Sequence, residues 1–209
     1  MDEIVRAKKP VRVPVVLTQD EVAAVLGSLS GVPRIMANLL YGSGLRLMEC
    51  VRLRVKDIDF SYHQITVRQG KGMKDRVTML PCIIQTELKH QLETAKQLHD
   101  RDLNEGFGQV YLPFALERKY PNANREWGWQ YVFPAAKRSR DPRSGVVRRH
   151  HVHKQVLQRA VKQATRRAEI SKPVSCHTFR HYSVLRIMPI MPISALKALV
   201  CHPFVRSWR

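Results

Sequence analysis

The sequence is poor in acidic residues and contains no long apolar run. Its 209 residues include 17 Asp and Glu against 36 Lys and Arg, which gives a formal net charge of +19. Such an excess points first to nucleic acid as a partner and second to an anionic membrane surface. Because no apolar stretch approaches the roughly 20 residues of a membrane helix, we expect a soluble chain with no membrane partner.

Cysteine is scarce and scattered, since Cys50, Cys82, Cys176 and Cys201 form no closely spaced pair. This pattern excludes a disulfide framework and favours free thiols in a reducing cytoplasm. The histidines at 150, 151 and 153 lack a nearby carboxylate or thiol pair to complete a metal site. We therefore expect a cytoplasmic protein without a metal or other cofactor.

The positive charge is unevenly distributed along the chain. Residues 137–167 carry eleven Lys and Arg and one Asp, and so supply +10 of the +19. A solvated charged face is the ordinary explanation for basic residues, but this density favours a nucleic-acid surface. Residues 1–17, which are basic and interrupted by Pro10 and Pro14, are typical of a linker.

Apolar periodicity predicts helices with one small sheet. Thr18 and Glu21 have the capping-box spacing that begins a helix. Contiguous helices and strands, rather than alternating ones, predict an α+β domain with a small antiparallel three-stranded sheet. After the first helix, we expect further helices over about 34–41, 45–54, 83–104 and 152–166, and strands over 57–60, 64–69 and 76–80.

Four side chains have the chemistry of a phosphate site. His177 and Arg180 fall on one face of a predicted helix, Arg46 follows two glycines at a helix start, and Lys71 sits between two glycines in a predicted hairpin. Each alone is more typical of a surface or turn residue. Together they suit metal-free phosphoryl transfer: two guanidiniums neutralise the phosphate, the histidine hydrogen-bonds it, and the lysine protonates the leaving 5′ oxygen.

The motifs that carry these residues resemble the catalytic domain of tyrosine recombinases, the phage integrase family, over roughly residues 10–182. In chain order they are Gly42-Ser43-Gly44-Leu45-Arg46 with Glu49, Gly70-Lys71-Gly72-Met73-Lys74-Asp75-Arg76, and His177-Thr178-Phe179-Arg180-His181. The resemblance implies a catalytic domain over 18–182 that cleaves and rejoins DNA. It makes Arg46 and Arg180 the catalytic arginines, Lys71 the general acid and His177 the catalytic histidine, with Glu49 and His181 in support.

Residues 115–134 resemble the insertion of integron integrases, which belong to mobile genetic elements of bacteria and act on folded single-stranded sites. We predict that Trp129 stacks an unpaired base and that Pro142, His150 and His151 form walls of its pocket. In the basic part of the 112–150 segment and just beyond it, we expect DNA contacts from Arg148, Arg149 and Lys154. The alternative is that Trp127, Trp129, Tyr131 and Phe133 alternate along a strand with one face in the core.

The chain departs from the family pattern after the third motif. No tyrosine occurs after Tyr182, although the family places its nucleophile about thirty residues beyond the second arginine. Residues 183–209 therefore predict an aberrant tail, and His202 matches the family's third-site histidine only by position. We expect a truncated, cleavage-deficient integron integrase that binds duplex or folded DNA, on which the intact family forms homo-oligomers. The alternatives are an active recombinase with a nucleophile supplied in trans, and a basic DNA-binding protein without catalytic ancestry.

Overall fold

The computed structural model describes residues 15–68, 75–113 and 116–180. Within these ranges it contains six α-helices between residues 19 and 167, a further helical stretch at 176–180, two small antiparallel sheets and three 3₁₀ turns. The helices are α1 (Gln19–Gly27), α2 (Gly31–Ser43), α3 (Leu47–Val51), α4 (Gln85–Asn104), α5 (Leu116–Lys119) and α6 (Lys154–Arg167). The strands are β1 (Ile58–Asp59), β2 (Gln64–Val67), β3 (Arg76–Met79), β4 (Ser139–Arg140) and β5 (Val147–Arg148), and the 3₁₀ turns are Val55–Asp57, Cys82–Ile84 and Trp127–Trp129.

The predicted capping box at the start of α1 is present. Thr18 Oγ1 accepts a hydrogen bond from the backbone N–H of Glu21 at 3.2 Å, and Glu21 Oε2 accepts one from the N–H of Thr18 at 2.7 Å. Both N–H groups belong to the first turn, where no carbonyl within the helix is available. The cap thus fixes where α1 begins and directs Val22 and Val25 into the core.

Helix α2 lies at the centre of the core, with Met36, Ala37, Leu39 and Leu40 fully buried. It is longer at its N-terminus than the sequence predicts, because Gly31 and Pro33 lie inside its first turn rather than before it. Proline is tolerated there, since its missing N–H has no partner within the helix in that turn. The apolar face of α6 covers α2 and α1 with residues that include Leu157, Val161 and Ala164.

The three-stranded antiparallel sheet is confirmed, with β2 between β1 and β3. Its register pairs Ile65 with Thr78 and Val67 with Arg76. Ile65 and Val67 are buried, so β2 anchors the sheet to the core while β3 forms its edge. The turn that joins β2 to β3 lies at residues 69–74, outside the described residues.

The observed fold confirms the α+β class and corrects two details of the 112–150 segment. The strand considered for Trp127 to Phe133 begins instead with a 3₁₀ turn, Trp127–Trp129, so the two tryptophans do not alternate across a sheet. Strands β4 and β5 form a second, two-stranded sheet, which we did not predict. Among the helices described, none is sufficiently long and apolar to cross a bilayer.

Candidate active site and nucleic-acid cleft

Two glycines shape the turn that presents Arg46. Gly44 caps the end of α2 in the left-handed conformation, with φ of 63°, which a residue with a Cβ adopts at a cost. A Cβ on Gly42 would lie 2.4 Å from Cγ of Pro81, so only glycine fits where α2 passes this residue. The chain then turns directly into α3, with Arg46 at the N-cap position.

Glu49 is the acidic centre of the site and binds two arginines. Its Oε1 accepts from Arg46 Nη1 at 2.6 Å, and its Oε2 accepts from the backbone N–H of Arg46 at 2.8 Å. Arg76, the first residue of β3, donates to the same two oxygens at 3.0 and 2.8 Å. This two-point arrangement of guanidinium and carboxylate has the geometry of the stronger ion pairs. Glu49 therefore ties β3 to the turn that presents Arg46.

The protonation of Glu49 reflects these contacts. Burial raises the pKa of its carboxyl group, but the hydrogen bonds from Arg76 and Arg46 outweigh burial and lower the pKa to about 2. The side chain of Glu49 is 10% exposed, so the pair is only weakly screened by solvent. Glu49 is thus a fixed negative charge at any physiological pH.

Arg180 joins this cluster from the far end of the described chain. Residues 176–180 are helical, and the fully buried Phe179 anchors them in the core. Burial and the charges of Arg46 and Arg76 lower the pKa of Arg180, whereas Glu49 opposes the shift. The structure therefore brings Arg180 within electrostatic range of Arg46. His177 lies one turn before Arg180 and is exposed.

A cleft with a volume of about 990 Å³ extends from the Arg46–Glu49 pair. Its walls carry several cations, aromatic rings and three carboxylates besides Glu49. The lining side chains with these properties are Arg46, Glu49, Arg52, Arg54, Lys56, Asp57, Arg68, Asp75, Tyr111, Tyr120, Trp129, Tyr131, Asp141, Arg143, His150 and His151, and Pro142 lies among them. Its size and composition suit a nucleotide or a short stretch of DNA backbone.

Three segments that lie side by side build one wall of the cleft. Val132 N–H donates to the carbonyl of Leu53 at 2.9 Å, and Val55 N–H donates to that of Gln130 at 3.1 Å. On the other side, Val152 N–H donates to the carbonyl of Phe133 at 2.7 Å. These backbone bonds hold residues 53–55, 130–134 and 150–152 together although they are far apart in sequence.

The buried guanidinium of Arg54 supports the aromatic part of this wall. It donates to the carbonyls of Trp129 and of Tyr111, the latter at 2.8 Å, and lies 4.7 Å from the centre of the Tyr131 ring. Lys56, in the turn Val55–Asp57, places its ammonium over the Trp129 ring, 2.7 Å from the ring centre. Trp129 is thus held by its backbone and covered on one face by a cation.

The residues predicted to bind an unpaired base fall in one place. Trp129, Pro142, His150 and His151 all line the cleft. His151 donates from Nδ1 to the carbonyl of Val152 at 2.8 Å, and burial lowers its pKa, which favours the neutral ring with Nε2 as an acceptor. Trp127 instead packs on His99, with ring centres 5.9 Å apart.

Arg148 and Arg149 point into the protein. Arg149 donates to both oxygens of Asp102 at 2.6 and 2.8 Å and also to two backbone carbonyls. Arg148 is 2% exposed, donates to Ser144 Oγ at 2.7 Å and has its Nε 3.6 Å from Asp141. In this structure both arginines hold the segment from 135 to 150 in place, so their predicted contact with DNA stays a prediction. Lys154 is exposed at the start of α6.

Sequence reasoning missed Arg54, Lys56 and the part that Arg76 plays. Arg76 stands in the second quoted motif, and the Arg-rich run from 52 to 56 after the third helix was a further signal. Lys71, His181 and His202 lie outside the described residues. Within those residues no group of three or more His, Cys, Asp or Glu is placed to hold a metal ion.

Comparison with known proteins matches most of the chain to one family. A model of the phage integrase family matches residues 15–202. An integrase/recombinase of Escherichia coli is 51% identical over 181 residues, which are 87% of this chain and 54% of that protein. Tyrosine recombinase XerA of Thermococcus onnurineus is 40% identical over 90 residues, 42% of this chain and 32% of that protein.

Solved structures agree with the fold. The crystal structure of XerA recombinase superposes with a TM-score of 0.55 at 24% identity and covers 89% of this chain and 55% of that one. XerH bound to its palindromic difH substrate, in a post-cleavage complex, has a TM-score of 0.52 at 20% identity, covering 84% and 42%. This chain spans about half the length of the E. coli relative, and the family model covers most of this chain. The chain belongs to the phage integrase family, the tyrosine recombinases.

Proposed function

We propose that this chain binds folded DNA that carries unpaired bases, in the manner of an integron integrase. The observation that carries the proposal is the continuity of one cleft from Arg46 and Glu49 to Trp129, His150 and His151. A phosphate group and a stacked base could occupy its two ends at once. DNA in the XerH structure supports DNA as the ligand class.

At the phosphate end, we assign Arg46 and Arg180 to the non-bridging oxygens of the scissile phosphate. Glu49 orients the Arg46 guanidinium, and its single negative charge leaves the cluster with Arg76 and Arg180 net positive. A net positive site that is already hydrogen-bonded in place binds an anion with little reorganisation. His177 would add a hydrogen bond, and Lys71 would protonate the leaving oxygen.

At the base end, we assign Trp129 as the stacking surface, with Pro142, His150 and His151 around it. A ring surface stacks any base, so recognition here depends on whether a base is unpaired rather than on its sequence. The exposed Lys154 at the start of α6 and the +19 charge of the chain would hold the backbone, which makes binding strongly dependent on salt.

For strand cleavage, we propose that the 209-residue chain binds DNA without forming a covalent intermediate. The support is chemical: a tyrosine recombinase needs a tyrosine near the scissile phosphate, and the last tyrosine of this sequence, Tyr182, is two residues after Arg180. Such a chain would compete with intact recombinases for their sites. A nucleophile supplied in trans by a second subunit is the rival proposal.

Binding of two hairpin oligonucleotides tests the base end. One hairpin carries a single extrahelical thymine and the other is fully paired, so their affinities measure the preference for an unpaired base. We expect Trp129→Ala to reduce that preference about tenfold, because stacking on an aromatic ring contributes on the order of 1 to 3 kcal/mol. Tyr62→Ala removes an aromatic that is 78% exposed and does not line the cleft, so it should leave the preference unchanged.

A suicide substrate, which traps a covalent protein–DNA adduct after cleavage, tests the proposed absence of strand cleavage. We expect salt-sensitive binding and no band that resists denaturation. An adduct would contradict the proposal. Mapping the linked residue to this chain or to a differently tagged partner would then show which subunit supplies the nucleophile.

A further inference from the structure

Lys56, like Arg52 and Arg143, is a cation of the cleft lining that forms no ion pair among the described residues. No carboxylate among the described residues lies within ion-pair distance of its ammonium. The adjacent Asp57 accepts from Arg68 Nε at 2.7 Å and from the backbone N–H of Arg54 at 3.3 Å. Glu126 lies near enough only for a long-range effect on the charge of Lys56. The exposed side chain of Lys56 thus carries a positive charge that no carboxylate among the described residues pairs with directly.

The contact that Lys56 does make is with the Trp129 ring. Its ammonium lies over that ring, and a Cβ on Gly128 would be 3.5 Å from Cβ of Lys56, so the side chain also lies against the turn that carries Trp129. The contact of a cation with an indole ring is weaker than a charge-assisted hydrogen bond from an ammonium to a phosphate. The ring is therefore a weak partner that an anion can replace.

The electrostatic surroundings favour such an exchange. Burial lowers the pKa of Lys56 to about 8, and the guanidiniums of Arg68 and Arg54 act in the same direction, against Asp57 and Glu126. Any nearby phosphate would relieve this repulsion and stabilise the ammonium form. The four-carbon stem of lysine is flexible enough to carry the charge from the ring to another point of the cleft wall.

We propose that Lys56 is a nucleotide-binding residue whose ammonium covers the Trp129 ring in the free protein and moves to the phosphate of an unpaired nucleotide when the base of that nucleotide stacks on the ring. The inference rests on the proposed function, because it takes Trp129 as the stacking surface. Lys56 then favours DNA that carries an unpaired nucleotide over fully paired DNA in two ways. It keeps the ring covered when no base is present, and it adds a phosphate contact when one is.

The test is the binding of the full chain to the two hairpins, with and without one extrahelical thymine, over a range of salt concentrations. Lys56→Met keeps a flexible chain over the ring and removes only the charge. We expect this variant to weaken binding of the thymine hairpin about tenfold more than that of the paired hairpin. The salt slope for the thymine hairpin should fall by roughly 0.7 to 0.9, the value of one phosphate contact, and Lys56→Arg should restore both.

Two further variants separate the possible failures. Lys154→Met removes an exposed cation outside the cleft lining, and we expect it to weaken both hairpins equally. If Lys56→Met also weakens both equally, has no effect, or tightens the thymine hairpin, Lys56 is not the proposed contact. If Trp129→Ala abolishes the preference while Lys56→Met does not alter it, only the Lys56 inference fails. A preference that survives Trp129→Ala overturns both this inference and the proposed function.

Discussion

Glu49→Gln removes the one negative charge that two arginines share, and the structure gives the size of the effect. The neighbours of Glu49 lower its pKa from 4.5 to about 2 in the folded chain. Each pKa unit corresponds to about 1.4 kcal/mol of preference for the charged form, so the carboxylate stabilises the fold by about 3 kcal/mol at neutral pH. Because the side chain is only 10% exposed, little of this is lost to solvent screening.

The sign of the pH dependence follows from the lowered pKa. A carboxyl group whose pKa is lowered on folding contributes its full stability above the unfolded value, near 4.5, and loses it as the pH falls towards 2. We expect urea unfolding to show that Glu49→Gln costs about 3 kcal/mol at pH 7 and about 2 kcal/mol at pH 3.5.

Glu87→Gln is the matched control, because Glu87 pairs with Arg34 at 3.5 Å in an exposed position. We expect that substitution to cost under about 1 kcal/mol at either pH. A cost for Glu49→Gln as small as for this control, or one that does not decrease at the lower pH, would refute the assigned coupling of Glu49 to Arg46 and Arg76.

Three other substitutions test the support of the cleft. Arg54→Met leaves the carbonyls of Trp129 and Tyr111 without their donor, so urea unfolding should show a free energy of unfolding that is lower by about 2 to 4 kcal/mol. An unchanged free energy of unfolding would contradict the supporting role of Arg54. Asp102→Asn should lower the free energy of unfolding by about 3 kcal/mol, because it weakens the pair with Arg149 that holds residues 135–150 to α4. It should also speed amide hydrogen exchange in residues 135–150, and unchanged exchange there would contradict that link. Gly42→Ala should lower stability by about 1 to 3 kcal/mol in thermal unfolding because of its clash with Pro81, and a neutral result would show that the turn relaxes.

The parts of the fold that follow local rules were predictable. The capping box of Thr18 and Glu21 marks the start of α1, and alternation along 64–67 marks a strand with Ile65 and Val67 buried. The predicted start of α2 at about residue 34 was wrong, because the helix begins at Gly31 and accommodates Pro33 in its first turn. The motifs with Arg46 and Arg180 identified the family, since their order and spacing are specific.

The cleft was less predictable because long-range contacts build it. Nothing local in the sequence shows that Arg54 pairs with the backbone of Trp129, 75 residues later, or that Arg149 turns inward to Asp102. A basic residue in a charged run is typically solvated at the surface. The side chain of Arg149 instead turns inward because it pairs with the buried carboxylate of Asp102, which is distant in the sequence. For the same reason, the basic run from 52 to 56 did not show that Lys56 lies over the ring of Trp129.

The most direct test of the central claim compares the cationic cluster with the general positive charge of the chain. Affinity for the thymine hairpin at fixed salt would be measured for Arg46→Ala, Arg180→Ala and Lys162→Ala, each checked for folding by circular dichroism. Lys162 is exposed on α6, so it represents general charge. We expect about tenfold or greater weakening for each arginine variant and about two- to threefold for the lysine variant. Equal weakening by all three would contradict a phosphate site at Arg46 and Arg180 and leave only a basic DNA-binding surface.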